Sequence, residues 1–280
     1  MKKSGNILIF LILLTVCVLT VFPLIYTVCA SFKSNAEIMT SAASLFPKKF
    51  TLDNYSQALK SDSFPLPLLT FNSTYYTVIC VILALLNSSI GGYVFSRGHF
   101  TGQKVIFGIF TSLMFVNLGG ATTIPLLKII NGVGLSGSLF GLLIVKVFGI
   151  NIVSIYLVRS YVETIPKEID EAATIDGCGF IKILFTMIAP LLKPVLATVA
   201  LLSFQGSWNE TIMPVVFTLS NPAQRTLSAG LYALKSSGGA AAQTNLMMAG
   251  SVVSMIPVII VYAFANKYFV SGLASGAVKG

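Results

Sequence analysis

Long apolar runs separated by short polar stretches dominate the chain. A helical membrane span needs about 20 mainly apolar residues. Six segments meet that length: Ile7–Ala30, Asn72–Phe95, Val105–Ile130, Leu139–Val158, Phe185–Phe204 and Leu246–Phe269. A β-barrel would instead show segments of about 10 residues of alternating polarity; these runs are continuous. The pattern predicts an all-α, polytopic membrane protein with six transmembrane helices. It forms a single domain over residues 1–280, with no internal repeat and no separate soluble part.

Composition agrees. Hydrophobic residues make up 55% of the 280 and charged residues 10%, with a mean hydropathy of +0.87, outside the range of a soluble domain. The net charge of +9 first suggests nucleic acid. The Lys and Arg residues are instead scattered at span ends, without interleaved aromatics, so membrane orientation accounts for them and nucleic acid is excluded. Cys17, Cys29, Cys80 and Cys178 form no metal-spaced pair, so no metal or cofactor is expected. The apolar run after Lys2 and Lys3 outlasts a signal-peptide core of about 7–15 residues, and no small-residue cleavage site follows; it reads as an uncleaved first span.

Short loops set the topology. The loop between spans two and three carries Arg97, His99 and Lys104, whereas Asn131–Gly137 carries no charge. By the positive-inside rule the first is cytoplasmic and the second external. Both termini then lie in the cytoplasm, in keeping with Lys2, Lys3, Lys267 and Lys279. Residues 31–69 and 208–245 become external loops, the first with a short helix over Leu52–Leu59 and turns at Phe46-Pro47 and Pro65-Leu66-Pro67.

Residues 163–190, ETIPKEIDEAATIDGCGFIKILFTMIAP, fall on the cytoplasmic side and hold five of the nine acidic residues. Pro166 suits a first helical position. Glu168, Asp170 and Glu171 favour the positive end of the helix dipole. Ile165, Ile169, Ala172 and Ala173 form one apolar stripe. Asp176-Gly177 closes this helix, and a more apolar one over Phe180–Ile188 runs toward Pro190 and merges with span five. The small residues suit either docking into a partner's groove or packing against the protein's own helices.

This helix–turn–helix resembles the EAA motif of ATP-binding-cassette importer permeases: E-A-A, three residues, G, nine residues, I, one residue, L, P. Glu171, Ala172, Ala173, Gly177 and Pro190 match; Met187 and Ala189 replace the Ile and Leu, and both stay apolar. The similarity extends to Phe22-Pro23, Ser31-Phe32-Lys33, Tyr93-Val94-Phe95-Ser96-Arg97, Ile165-Pro166, Trp208-Asn209 and the terminal Gly276-Ala277-Val278-Lys279-Gly280. Together these resemble the carbohydrate-importer permeases of the maltose-permease type, specifically the six-span member.

The resemblance implies a bacterial cytoplasmic (inner) membrane permease that forms half of a translocation path for a carbohydrate. Its partners would be a second homologous permease, two cytoplasmic ATPase subunits and an extracytoplasmic sugar-binding protein. The EAA loop would be the coupling helix, with Ile169, Glu171, Ala172, Ala173, Asp176, Gly177 and Pro190 at the ATPase interface. Trp208 and Asn209 are candidate contacts for the binding protein. The chain has no G-x-x-x-x-G-K-[ST] phosphate loop, so ATP would be bound elsewhere and this subunit is not an enzyme.

Asn87, Asn117, Lys146, Asn151 and Gln205 are candidate residues of the translocation path. Interhelical hydrogen bonding is the alternative for the amides. Lys146 lies inside span four, where a charge costs roughly 3 kcal/mol, and no acidic residue lies inside a span. A wet cavity or subunit seam is the favoured reading, against snorkelling or a backbone or partner acceptor. Pro125 and Pro257 predict kinks. An importer for a non-sugar solute stays open. An ion-coupled carrier would carry intramembrane carboxylates, and an embedded enzyme would need an acid–base set; the only histidine is His99, in a short loop.

Overall fold

Every regular element among the described residues is helical, as required of backbone that must satisfy its own N–H and C=O groups in lipid. The computed structural model describes residues 2–41, 44–116, 119–236 and 243–277. Asn117 and residues 278–280, with Lys279, lie outside the described residues. In chain order the helices are α1 (Lys2–Ala30), α2 (Asn35–Thr40), α3 (Asp53–Lys60), α4 (Leu66–Arg97), α5 (Gln103–Leu113), α6 (Thr123–Gly132), α7 (Leu139–Phe148), α8 (Ile152–Val162), α9 (Glu168–Ile175), α10 (Phe180–Ile183), α11 (Ala189–Leu191), α12 (Lys193–Trp208), α13 (Ile212–Phe217), α14 (Leu227–Ser236) and α15 (Thr244–Ala277).

Three helices are long and apolar enough to cross a membrane alone: Ile9–Ala30 within α1, all of α4, and Thr244–Ala265 within α15. Two of the other predicted spans form bent pairs. α7 and α8 meet at 41°, and the helical stretch Phe180–Leu191 meets α12 at 85°. The merger of the second loop helix into a straight span over Phe185–Phe204 is therefore corrected. The chain turns at Leu192, between Pro190 and Pro194, two residues that cannot donate to a continuous ladder.

The predicted helix over Val105–Ile130 is also broken. α5 ends at Leu113, a 3-10 turn covers Gly119–Thr122, and α6 restarts at Thr123. Gly119-Gly120 and Thr122-Thr123 are weak helix formers, with glycine about 1 kcal/mol worse than alanine in a helix interior. Pro125 consequently sits in the first turn of α6, where its missing N–H costs nothing, and makes no kink there. α15 continues through Pro257.

The chain divides into two compact units, Met1–Thr70 with Leu227–Pro257, and Phe71–Thr226 with Val258–Gly280. In the first, Ala58, Phe64, Leu66, Leu69, Leu227, Leu234 and Leu246 form the core. The helix predicted over Leu52–Leu59 is α3. Its buried Asn54 donates to the carbonyls of Ser31 (2.7 Å) and Lys33 (2.8 Å) and accepts from Asn245 (2.9 Å). Lys33 is fully buried; its ammonium donates to the carbonyl and hydroxyl of Ser44 and lies 5.5 Å from the Tyr26 ring centre. The Ser-Phe-Lys element thus ties down the loop that follows α1.

In the second unit, one core gathers Tyr93, Val158, Val162, Ile165, Ala173, Ile183, Leu184 and Ile188 beneath the acidic loop. Another gathers Tyr76, Cys80, Ile130, Leu142, Leu143 and Phe217. α4 and α8 approach through Gly92, where a Cβ would stand 2.6 Å from Val158 Cγ1 and 2.9 Å from the Arg159 backbone nitrogen. Gly92→Val is expected to cost about 1–3 kcal/mol through overpacking, read as a lower melting temperature in detergent. Gly108→Ala, with open space around its site, should cause no such loss.

Candidate functional site

The loop over 163–190 is built on one turn chemistry. Lys167 opens α9, accepting from the N–H groups of Asp170 (2.9 Å) and Glu171 (3.0 Å), so Pro166 lies just outside the helix. At the other end Gly177 adopts φ +77°. Its N–H reaches the Thr174 carbonyl (3.0 Å), and the Cys178 N–H reaches that of Ala173 (2.9 Å). This is a Schellman closure, which fits glycine at the left-handed position. The following stretch passes through a π-helical turn at Leu184–Ile188 before the bend at Leu192.

α9 is fastened to the end of α4 by a polar clasp. Tyr93 Oη donates to Asp170 Oδ1 (2.6 Å) and Arg97 Nε to Asp170 Oδ2 (3.2 Å). Arg97 Nη2 donates to the carbonyls of Val162 and Ile165. The Arg97 and Asp170 side chains are only 8% and 16% exposed, so solvent screens the pair weakly. The Tyr93 ring is buried and lies 4.5 Å from that of Phe180.

This geometry sorts the predicted interface residues. Glu171, Ala172, Asp176 and Gly177 are exposed on α9 and its closing turn. Ala173 is buried and Ile169 half-buried against the core below. Those two therefore hold α9 to its own chain and offer a partner less surface than Glu171, Ala172, Asp176 and Gly177. Pro190 is exposed but stands at the bend, not on α9. Ile175, which the sequence reading passed over, is 87% exposed at the tip of α9. An isoleucine two residues before the closing glycine was the available signal.

A second site lies where the fourth predicted span is broken. Helix stops at Phe148, residues 149–151 are unwound, and Asn151 Oδ1 restarts it by accepting from the Ser154 N–H (3.1 Å). Unwound backbone at membrane depth is tolerated where it lines a wet cavity or is buried in protein. Here it lines a cavity of about 580 Å3 that also includes Asn87, Lys146, Ser203 and Glu210.

Lys146 has a partner within its own chain. Its Nζ donates to Glu210 Oε1 (2.9 Å), while Tyr76 Oη donates to Oε2 (2.6 Å). The sequence reading left this lysine without an acidic partner because Glu210 lies just past the fifth apolar run; the structure corrects it. Asn87, Lys146 and Asn151 share the cavity, whereas Gln205 is exposed outside its lining. Trp208 is 3% exposed and stacked on Phe204, so it packs within its own chain and offers little surface to a binding protein. Asn209 remains exposed, donating to the Gln205 carbonyl (3.0 Å).

Known proteins resemble the chain over nearly its whole length. The profile of the family described as "Binding-protein-dependent transport system inner membrane component" matches residues 6–275. The inner membrane ABC transporter permease protein YcjP of Escherichia coli is 32% identical, over 94% of this chain and 92% of its own. The arabinooligosaccharides transport system permease protein AraQ of Bacillus subtilis is 31% identical, with the same shares covered. A chain from the crystal structure of a bacterial ABC transporter involved in the import of the acidic polysaccharide alginate superposes with a TM-score of 0.80 at 28% identity, covering 96% of this chain and 97% of that one.

Proposed function

This chain belongs to the family of binding-protein-dependent transport system inner membrane components, and from that membership we propose that it is one permease subunit of an ATP-driven carbohydrate importer. It forms half of the translocation path and is completed by a second, homologous permease. Two ATPase subunits bind on the cytoplasmic side, where both termini lie, and an extracytoplasmic binding protein delivers the sugar. The external segments 31–69 and 208–245, with Asn209, receive that protein. The subunit itself moves solute and catalyses no reaction.

The observation that carries this reading is the clasped α9. Its outer face presents Ala172, Ile175 and Gly177 between Glu171 and Asp176, a short apolar ridge with an acidic rim suited to a groove on a partner. Its inner face is tied to α4 through Asp170. A push on the outer face therefore acts on a membrane-spanning helix, as a coupling free energy between two sites requires. The carbohydrate assignment rests on the sugar-permease relatives and on the hydroxyl and amide groups around the cavity.

Copurification tests it. The tagged chain, coexpressed with its neighbouring permease and ATPase genes, should retain the ATPase in mild detergent. Ala172→Asp adds a charge to the exposed ridge without entering the core. It should cut retained ATPase about tenfold, some 1.4 kcal/mol of binding, with the melting temperature unchanged. Undiminished ATPase with this variant and with Gly177→Val overturns the assignment of α9.

A further inference from the structure

The charges of the cavity cancel each other, and its uncommitted polar atoms do not. Among the described lining residues, Lys146 and Glu210 carry the two opposite charges, and they pair at 2.9 Å. The second oxygen of Glu210 accepts from Tyr76 at 2.6 Å, so both carboxylate oxygens are engaged. An ammonium has three N–H donors. Lys146 commits one of them to Glu210 and is 32% exposed toward the cavity.

Around this pair stand groups with hydrogen-bonding capacity to spare. Asn151 uses its oxygen to cap α8 and keeps its amide N–H groups; Asn87 donates weakly to the Val147 carbonyl at 3.4 Å and keeps its oxygen. The wall thus mixes donors and acceptors, the pattern that matches hydroxyl groups able to do both.

Resting on the carbohydrate-importer reading, we propose that this cavity is a subsite for a neutral, hydroxyl-rich saccharide, and that the Lys146–Glu210 pair is its charge filter. A uronate entering the cavity meets an ammonium already neutralised and a carboxylate of its own sign. A neutral sugar meets Lys146 as a donor and the two asparagines as donor and acceptor. The filter is therefore reversible by one atom: Glu210→Gln keeps the shape and the acceptor for Tyr76, yet leaves the Lys146 charge uncompensated.

The test uses the importer complex in nanodiscs without its binding protein, so that selection by the membrane subunits alone is read. Saturation-transfer NMR gives the affinity of galactopentaose, a neutral probe, and of pentagalacturonate, its acidic counterpart. Wild type should favour the neutral probe about tenfold. Glu210→Gln should shift the ratio about tenfold toward the uronate, and Lys146→Gln/Glu210→Gln should move it back. Should Glu210→Gln fail to assemble, Lys146→Gln carries the test, because a bare Glu210 must push the uronate further out. A ratio that stays put in the charge variants overturns the filter while the importer reading stands. Binding of neither probe by wild-type complex overturns the subsite, while the importer reading stands or falls on ATPase copurification.

Discussion

Arg97→Ala should destabilise the second unit by about 3–5 kcal/mol, the loss typical when one partner of a buried ion pair is removed. Asp170, 16% exposed, would keep only the Tyr93 hydroxyl, and the carbonyls of Val162 and Ile165 would lose their shared donor. Asp170→Ala alone should cost a similar amount, because it strands the guanidinium. The double variant should cost clearly less than the sum, since it leaves no unpaired charge. Melting of the four proteins in detergent measures the coupling. Additive losses, or a loss for Arg97→Ala below about 1 kcal/mol, a surface-pair value, would sink the clasp.

The functional signature separates the clasp from the docking ridge. Ala172 and Ile175 face outward and are untouched by Arg97→Lys, which keeps the charge but not the fork that serves Asp170 and two carbonyls at once. That variant should still retain the ATPase on copurification. It should lose transport, and the stimulation of ATP hydrolysis by sugar, because motion of α9 no longer reaches α4. Ala172→Asp should show the reverse order of loss, binding first. Loss of ATPase binding in both variants would mean that the clasp only props up the ridge.

Much of this was legible in the sequence, for definable reasons. Continuous apolar runs specify membrane helices, and the Glu-Ala-Ala…Gly spacing specifies a helix with a left-handed close, as α9 and Gly177 show. The breaks were not legible. A hydropathy window passes over Gly149 and Leu192 because both are apolar, while the angles of 41° and 85° there depend on capping and tertiary packing. Pairings between distant residues were hidden too. Arg97 and Asp170 each read as ordinary loop charges, and their union across 73 positions needs the fold. Glu210 lies outside an apolar run, so nothing in the sequence links it to Lys146, although the turn that follows α12 carries it there. Ala172 and Ala173 are alike in sequence and opposite in exposure, which only the packing direction of α9 decides.

Trp208→Ala should cost about 3 kcal/mol, the low end for removing a buried tryptophan, because in a bilayer the packing part of the loss outweighs the transfer part. The indole is 3% exposed and stacks on Phe204, with ring centres 5.9 Å apart and planes 14° apart. It ends α12, two residues before Glu210, so the void also loosens the turn that delivers the carboxylate to Tyr76 and Lys146. A melting temperature lower by about 6–12 °C is expected for a chain of this size, without any binding protein present, and sugar uptake should fall with it. Trp208→Phe, which preserves an aromatic face for Phe204, should recover most of both. A docking role predicts something different: unchanged melting of the permease complex and a weaker affinity for the binding protein. That pattern would return Trp208 to the external surface and remove its part in seating the Lys146–Glu210 pair.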